Sequence, residues 1–241
     1  IGPKTHGPTT APSKPRSSET QVLNDVISAP LGTVYLLLFG DNDATLQSIL
    51  TKQKNYKISS IPPFANKERS YEYTKPINAP IGPKETKCLV TETIENLDLN
   101  QYICVKQSTK TPDVPSGNSF VTVTTIYLSW TENNSTRITV LTEVQWSGRS
   151  WIKGPVEKGA VEGQKESMEI LSNELKDIVS RSMSGSTGAK KSKKPKRTKS
   201  KSTAKKEEKP AEVSGMWKTV MGVLDPALSI IGIDAEKLTL W

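Results

Sequence analysis

The sequence predicts an α+β fold in which one long helix lies across a curved antiparallel sheet. The first observation is the segment 156–181, which contains no proline and repeats apolar or small residues at helical spacing. A helix of about 26 residues runs ~39 Å, longer than most globular helices. The second observation is a series of strand patterns joined by short segments, which suits antiparallel neighbours and excludes alternating strand–helix units. Helices, then strands, then one helix are typical of the α+β class.

Two short helices are predicted before the sheet. Pro30 opens the leucine-rich run Leu31–Phe39 and Gly40 ends it, a pattern that favours a helix over a strand. Residues 41–43 supply capping side chains for a second helix over Ala44–Lys52. Strands follow in series, and turn residues separate them. Their predicted ranges are 56–61, 69–75, 85–95, 102–110, 119–130 and 136–146.

Composition divides the chain into four parts. Residues 1–20 are rich in Pro, Thr, Ser and Gly and are expected to be a disordered leader, while 21–183 form the folded domain. Residues 184–210 predict a basic disordered linker, and 211–241 an amphipathic segment for a membrane or an absent partner. Because the chain starts at Ile1 rather than Met, we expect it to be part of a longer protein.

The formal charge of +8 belongs to one segment. Residues 190–209 contain eleven Lys or Arg and two Glu, which leaves 22 basic and 23 acidic residues elsewhere. Such a run attracts polyanions, and both an anionic membrane surface and a nucleic acid fit that description. Since the run contains no aromatic residues, we expect no specific nucleic acid and keep a nucleic-acid-binding protein as the alternative function.

No enzymatic motif occurs in the sequence, and we expect neither a metal nor a cofactor. The single histidine, His6, lies in the leader and is expected to be solvated. Cys88 and Cys104 lie in separate predicted strands, where reduced buried thiols are more common than a disulfide. Glu92 is taken as an ordinary carboxylate on the surface of a strand. These observations favour a non-enzymatic protein.

Two features indicate a ligand site. Residues 74–84 form a proline-rich loop with apolar side chains, although loops are normally polar. We expect this loop to be a lid over a cavity or a tip that touches lipid, or else to fold onto the core. The second feature is Gln107, which shares a strand face with Ile103 and Val105. A buried amide needs a partner or costs about 1–3 kcal/mol, so either a ligand hydroxyl or a neighbouring side chain must bond it.

Further cavity residues are expected on the last strand and the long helix. Val140 and Val144 alternate on one face of the strand 136–146, while Gly163 and Met168 lie on the helix. Small residues on the helix let it approach the sheet or leave room for a ligand. A long apolar space between helix and sheet indicates a lipid carrier.

Four ordered motifs then show a family resemblance. Residues 29–40, 78–84, 110–117 and 151–164 together resemble the VASt domain, the StAR-related (START-like) sterol-transfer module of the Lam/Ltc and Aster membrane-contact-site proteins. The resemblance spans residues 29–181 and is greatest to a second START-like domain of a fungal Lam protein. It implies a helix-grip fold with a sterol cavity between sheet and helix, holding a ligand such as ergosterol or cholesterol.

The resemblance also implies where the protein works and what covers its cavity. It implies a membrane-anchored parent on the cytosolic face of the endoplasmic reticulum, at contacts with the plasma membrane. Its partners would be a sterol and an anionic membrane surface, with the isolated domain monomeric. A START-like hydrolase or cyclase would need an acid–base pair that the sequence lacks. The entrance turn maps onto residues 111–117, and the lid onto Ile77, Asn78, Ala79, Pro80, Ile81, Gly82, Pro83 and Lys84.

Overall fold

A computed structural model describes residues 1–77 and 83–184. Six strands form one antiparallel sheet in the order β1-β6-β5-β4-β3-β2. The predicted α+β helix-grip fold is confirmed, with a long final helix packed against the sheet. The elements are β1 (Thr20–Ile27), α1 (Leu31–Phe39), α2 (Ala44–Lys52), β2 (Glu68–Pro76), β3 (Glu85–Leu97), β4 (Tyr102–Lys110), β5 (Phe120–Thr131), β6 (Ser135–Trp146) and α3 (Lys153–Ser184).

The long helix is held to the sheet by both polar and apolar contacts. Ser172 Oγ and Lys176 Nζ donate hydrogen bonds to Asp25 Oδ2 of β1, at 2.6 Å and 2.5 Å. Leu171 and Leu175 belong to the main apolar core, together with side chains from α1, β4, β5 and β6. This attachment concerns the second half of α3, so its first half is free to line a space above the sheet.

Most predicted elements agree with the structure. The bounds of α1, α2 and β4 are confirmed, and β2, β3, β5 and β6 are confirmed with small differences at their ends. The long helix begins three residues earlier than predicted, at Lys153, so Pro155 lies within its first turn. Proline is tolerated there because the first helical N–H groups have no partner within the helix.

The prediction of a strand at 56–61 is wrong. Within this range only Tyr56 forms a bridge, with Thr74 of β2, and Ser59 N adds one isolated hydrogen bond to the carbonyl of Glu72. Lys54 and Lys57 have φ values of 65° and 50°, in the left-handed region, which extended strands do not contain.

The sixth strand is instead β1, which the sequence analysis did not predict. It pairs with β6, and its register shifts between Gln21 and Leu23. Such an irregularity breaks the alternation of side chains that identifies a strand in a sequence. Asn24 and Asp25 weaken the signal further, because both residue types are uncommon in strands.

The leader is ordered against the sheet, contrary to the expectation of disorder. Thr9 N donates a hydrogen bond to the carbonyl of Trp130, and Trp130 N donates one to Thr9 Oγ1, both at 3.0 Å. The ring of His6 stacks on the Trp130 indole, with centroids 5.4 Å apart. His6 is therefore half-buried rather than solvated. Residues this rich in proline keep an extended path, which lets them lie along an existing surface.

Both cysteines are buried and free, as predicted. Burial raises the pKa of the Cys88 thiol and of the Cys104 thiol to about 11. Within residues 1–77 and 83–184, no helix has the length and apolar character needed to cross a membrane.

Candidate ligand cavity

A cavity lies between the inner face of the sheet, the two short helices and the first half of α3. The space between these walls, counted together with the solvent at its open side, is ≈ 1170 Å³. Its walls are mainly apolar and include Phe39 of α1, Ile49 of α2, Phe120 of β5 and Met168 of α3.

One row of polar side chains crosses the inner face of the sheet at the deep end of this cavity. Its members face each other in register on five neighbouring strands, and four of them are almost fully buried. Beyond the row lies the main apolar core, and on the other side lies the cavity. This polar row consists of Arg69, Glu92, Gln107, Thr124 and Thr142.

The centre of the polar row is a buried ion pair. Arg69 Nε lies 2.6 Å from Glu92 Oε2, and both side chains are 1% exposed. The guanidinium also donates to the carbonyl of Leu38 at 3.0 Å and lies 4.5 Å from the ring centroid of Phe64. Buried charges are tolerated only with such close compensation. The expectation that Glu92 lies on the surface is wrong, because its position on β3 faces the cavity.

Gln107 is bonded to this pair. Its amide nitrogen donates to Glu92 Oε1 at 2.9 Å and to the Tyr71 hydroxyl oxygen at 3.3 Å. Tyr71 in turn donates to Glu92 Oε1 at 3.0 Å. Burial, and then the negative charge of Glu92, raise the pKa of Tyr71 well above its usual range. Neighbouring side chains, one of the two kinds of partner considered for the amide, bond its nitrogen, while its oxygen makes no hydrogen bond among the described residues.

Five of the other predicted cavity residues divide into two groups. Gly163 and Met168 line the cavity from α3. Ile103, Val105 and Val140 lie in the main apolar core on the far side of the polar row. The position of each residue along its strand explains this division. On β4, Ile103 and Val105 precede Gln107 on the same face and lie on the core side of the row.

Val144 lies near the outer end of the cavity but does not line it. It packs beside Trp146 against a second apolar cluster. This outer cluster consists of Ile77, Val114, Phe120, Ile152 and Val156.

The predicted lid has one side chain in the outer cluster. Ile77 is 4% exposed, and its backbone N–H donates to the Lys84 carbonyl at 2.7 Å. Pro83 is half-buried and Lys84 is exposed. The remaining predicted lid residues, Asn78, Ala79, Pro80, Ile81 and Gly82, lie outside the described residues.

The cavity has a further polar atom without a partner in the described residues, which the sequence analysis missed. The amide oxygen of Gln164 on α3 is buried and has no hydrogen-bond partner within the described parts of the chain. Gln164 lines the cavity on the same helical face as Ala160 and Met168. That spacing of four residues was visible in the sequence and could have identified it.

The cavity is elongated. On β2 the lining runs from Tyr71 through Tyr73 to Lys75, and the polar row lies two residues deeper at Arg69. Six residues of strand span about 20 Å. Burial lowers the pKa of Lys75 at the outer end. Within the described residues, no group of three or more His, Cys, Asp or Glu side chains could hold a metal ion. The shape and lining fit a long apolar ligand with a polar end.

Comparisons with known proteins identify the family of this chain. The model of the VASt family, "VAD1 Analog of StAR-related lipid transfer domain", matches residues 21–163. The membrane-anchored lipid-binding protein LAM5 of Saccharomyces cerevisiae is 33% identical over 187 residues, which are 74% of this chain and 28% of LAM5. An uncharacterized membrane protein of Schizosaccharomyces pombe is 38% identical over 151 residues, 61% of this chain and 20% of that protein.

The chain therefore spans between a fifth and three tenths of the length of these two relatives. Among solved structures, TTHA0849 from Thermus thermophilus aligns with a TM-score of 0.44 at 16% identity. That alignment covers 68% of this chain and 98% of the other. Likeness at this level supports no functional conclusion.

Proposed function

This chain belongs to the VASt family of StAR-related lipid transfer domains, and from that premise we propose that it binds a sterol and carries it between membranes. The observation that carries the proposal is the apolar cavity with a polar row at its deep end. A sterol is a long, rigid, apolar molecule with one hydroxyl group. The cavity offers a similar distribution of polarity, since Tyr71 and Tyr73 of β2 line it between Arg69 of the polar row and Lys75, which are about 20 Å apart.

In the proposed complex the sterol hydroxyl lies beside Gln107. The amide nitrogen of Gln107 is committed to Glu92 and Tyr71, so its oxygen is the atom that accepts a hydrogen bond from the hydroxyl, directly or through water. Glu92 fixes the orientation of the amide, because the carboxylate can accept only from the nitrogen side. The buried ion pair therefore prepares an acceptor for the ligand without contacting it.

The domain works by lowering the cost of leaving a bilayer. A sterol in water exposes several hundred Å² of apolar surface, which costs on the order of 10 kcal/mol at ~25 cal/mol per Å². The cavity replaces that exposure with apolar contact, and one sterol per domain fills it. Ile77 must leave the outer cluster for the lid to open, and it returns when the domain is in water. No bond is made or broken, so the domain is not an enzyme.

We further propose that the parent protein is anchored in the endoplasmic reticulum and delivers sterol at contacts with the plasma membrane. The relative LAM5 is described as membrane-anchored and lipid-binding, which supports an anchored parent. The basic residues 190–209 support an anionic membrane surface as a partner, because a net charge of +9 is attracted to such surfaces. Binding of a nucleic acid through the same residues is the alternative.

Mass spectrometry of the purified protein tests the proposal most directly. Organic extraction of the full chain from a sterol-containing host should release a sterol at about one molecule per chain, and donor vesicles should lose sterol to acceptor vesicles when the chain is added. Gly163→Arg, which fills the cavity, is the control and should release none. Recovery of phospholipid or fatty acid alone would overturn sterol as the ligand while leaving lipid binding intact. Tight, salt-sensitive DNA binding by a chain that extracts no lipid would favour the alternative.

A further inference from the structure

The loop between β6 and α3, residues 147–152, carries an aromatic side chain in solvent. Trp151 is 65% exposed, the largest exposed fraction among the large apolar side chains of the described residues. A Cβ added at Gly148 or at Gly154, on either side of it, would meet no atom within 4 Å. The loop therefore stands away from the rest of the domain at both glycines, and most of the Trp151 side chain is open to solvent.

This Trp151 loop is attached firmly at its base. The next residue, Ile152, is 3% exposed and packs in the outer cluster with Ile77 and Val156. The carbonyl of Ile152 accepts a hydrogen bond from Val156 N at 3.1 Å, which begins the ladder of α3. Because one residue is buried and its neighbour is exposed, the backbone presents the indole outward from a rigid position.

The position of the Trp151 loop is the outer end of the cavity. β6 ends at Trp146, which pairs with Phe120, and Phe120 lines the cavity. The polar row crosses β6 at Thr142, so the loop lies on the opposite side of the cavity from that row. Ile77, at the base of the predicted lid, shares the outer cluster with Ile152. A surface that binds this loop therefore also lies close to Ile77.

The charges around the indole are mainly positive. Residues 147–158 contain three basic side chains and one acidic one, whereas the chain outside 190–209 is close to neutral. Arg149 is exposed and makes no ion pair within the part of the chain that the structure describes. Lys153 is half-exposed and 3.7 Å from Glu157. An exposed indole flanked by cations matches the interface of an anionic bilayer, where tryptophan places its ring at the level of the headgroups.

We propose that the Trp151 loop docks the domain on an anionic bilayer, with the Trp151 indole among the headgroups and Arg149 and Lys153 against the lipid phosphates. The occupant is a lipid surface because the patch is one aromatic ring with a cationic border, without the broad apolar area that a stable protein interface needs. Docking in this orientation turns the outer end of the cavity toward the membrane. The inference extends the proposed lipid transport, but docking needs no ligand in the cavity.

Vesicle co-sedimentation of the full chain tests this inference. Binding to vesicles of phosphatidylcholine and phosphatidylserine is measured at low salt and at high salt. High salt weakens the electrostatic attraction of the basic residues 190–209, but it has little effect on the contribution of a buried indole. Trp151→Ala should lower vesicle binding about tenfold at high salt, and Trp151→Phe should retain most of it. Leu97→Ala is the matched control, since Leu97 is a 46% exposed apolar side chain at the other end of β3.

Fluorescence gives a second readout. Lipids brominated on their acyl chains should quench the wild-type emission more than that of Trp151→Phe, whose four remaining tryptophans supply the baseline. Equal vesicle binding and equal quenching in wild type and variants would overturn the inference, as would an equal loss in Leu97→Ala. Sterol binding in solution is measured in parallel. If neither the wild type nor any variant binds sterol but Trp151→Ala still loses vesicle binding, the proposed ligand is wrong and the docking surface is supported.

Discussion

The amide nitrogen of Gln107 donates a hydrogen bond to Glu92 at 2.9 Å, and through it the cavity wall is coupled to a buried ion pair. The amide side chain thus has one end fixed by the protein and one end facing the cavity. Position and orientation are set before any ligand arrives, which reduces the entropy lost when the ligand binds.

Replacing Gln107 by Leu should weaken the binding of a sterol with a free hydroxyl by about tenfold, the effect of one lost hydrogen bond of ~1.4 kcal/mol. A sterol analogue without the hydroxyl should bind the variant and the wild type alike, because it never uses the amide oxygen. Competition against a fluorescent sterol measures both affinities. Equal losses for the two ligands would remove Gln107 from this role and indicate a general change in the cavity.

Glu92→Gln should lower the free energy of unfolding by about 3–5 kcal/mol, because Arg69 is then left buried without a countercharge. The double variant Arg69→Met, Glu92→Leu should be more stable than Glu92→Gln, since neither charge remains to be compensated. Denaturant unfolding measures both. The control is Glu85→Gln, whose pair with Lys57 is exposed and should contribute less than ~1 kcal/mol. A small effect of Glu92→Gln would mean that water reaches the pair.

Gly163→Arg should abolish sterol binding while the chain remains folded. Gly163 lines the cavity from α3, so the new side chain occupies the space of the ligand. Gly154→Arg is a matched control on the same helix, because its side chain would enter open space. Sterol affinity and the thermal unfolding midpoint are measured for both. Retained binding in Gly163→Arg with normal stoichiometry would show that the ligand does not occupy this part of the cavity.

The two thiols should react slowly with a disulfide reagent at pH 8. Both are buried, with pKa values of about 11, so the thiolate fraction alone lowers the rate by roughly 100-fold relative to an unfolded chain. The reaction is followed by the absorbance of the thiolate that the reagent releases. Addition of denaturant should make both sites react rapidly. Fast reaction of one thiol in the native protein would reveal local opening of its strand.

Shortening the chain to end at Ser182 should slow sterol transfer between anionic vesicles without changing sterol affinity. The removed residues include the net charge of +9 at 190–209, whose attraction to a membrane is screened over ~8–10 Å at ordinary salt. The difference should shrink at high salt and vanish with neutral vesicles. Equal transfer by both chains at low salt would leave the basic residues without a membrane role. DNA binding that depends on them would then support the alternative function.

Local signals account for the elements that were predicted well. Pro30 precedes α1, and Gly40 ends it where a Cβ would meet the carbonyl oxygen of Leu36 at 2.6 Å. The alternation along Tyr102–Lys110 identifies β4. β1 was not predicted because its bulge shifts the alternation of side chains. Residues 56–61 have the side-chain pattern of a strand, but that pattern does not reveal the left-handed backbone conformation at Lys57. In both cases the outcome depended on pairing with a distant strand.

The site was predicted in part for the same reason. Gln107 could be placed on the inner face of β4 from alternation alone. Its partners Glu92 and Tyr71 lie 15 and 36 residues away, and only the register between strands brings them together. The polar row also decides which inner residues line the cavity, so Val105 and Gln107 differ in role despite sharing a face. The sequence of one strand contains no information on that boundary.

The ordered leader determines where this domain can be truncated. Trp130 is 1% exposed, and part of its cover comes from His6 and Thr9, which precede the first residue matched by the family model. A recombinant protein trimmed to residue 21 would show an uncovered indole at the end of the sheet farthest from the cavity mouth, a ready site for self-association. The folded unit thus begins before residue 21, where the match to the family model begins, and a truncation at that residue removes part of it.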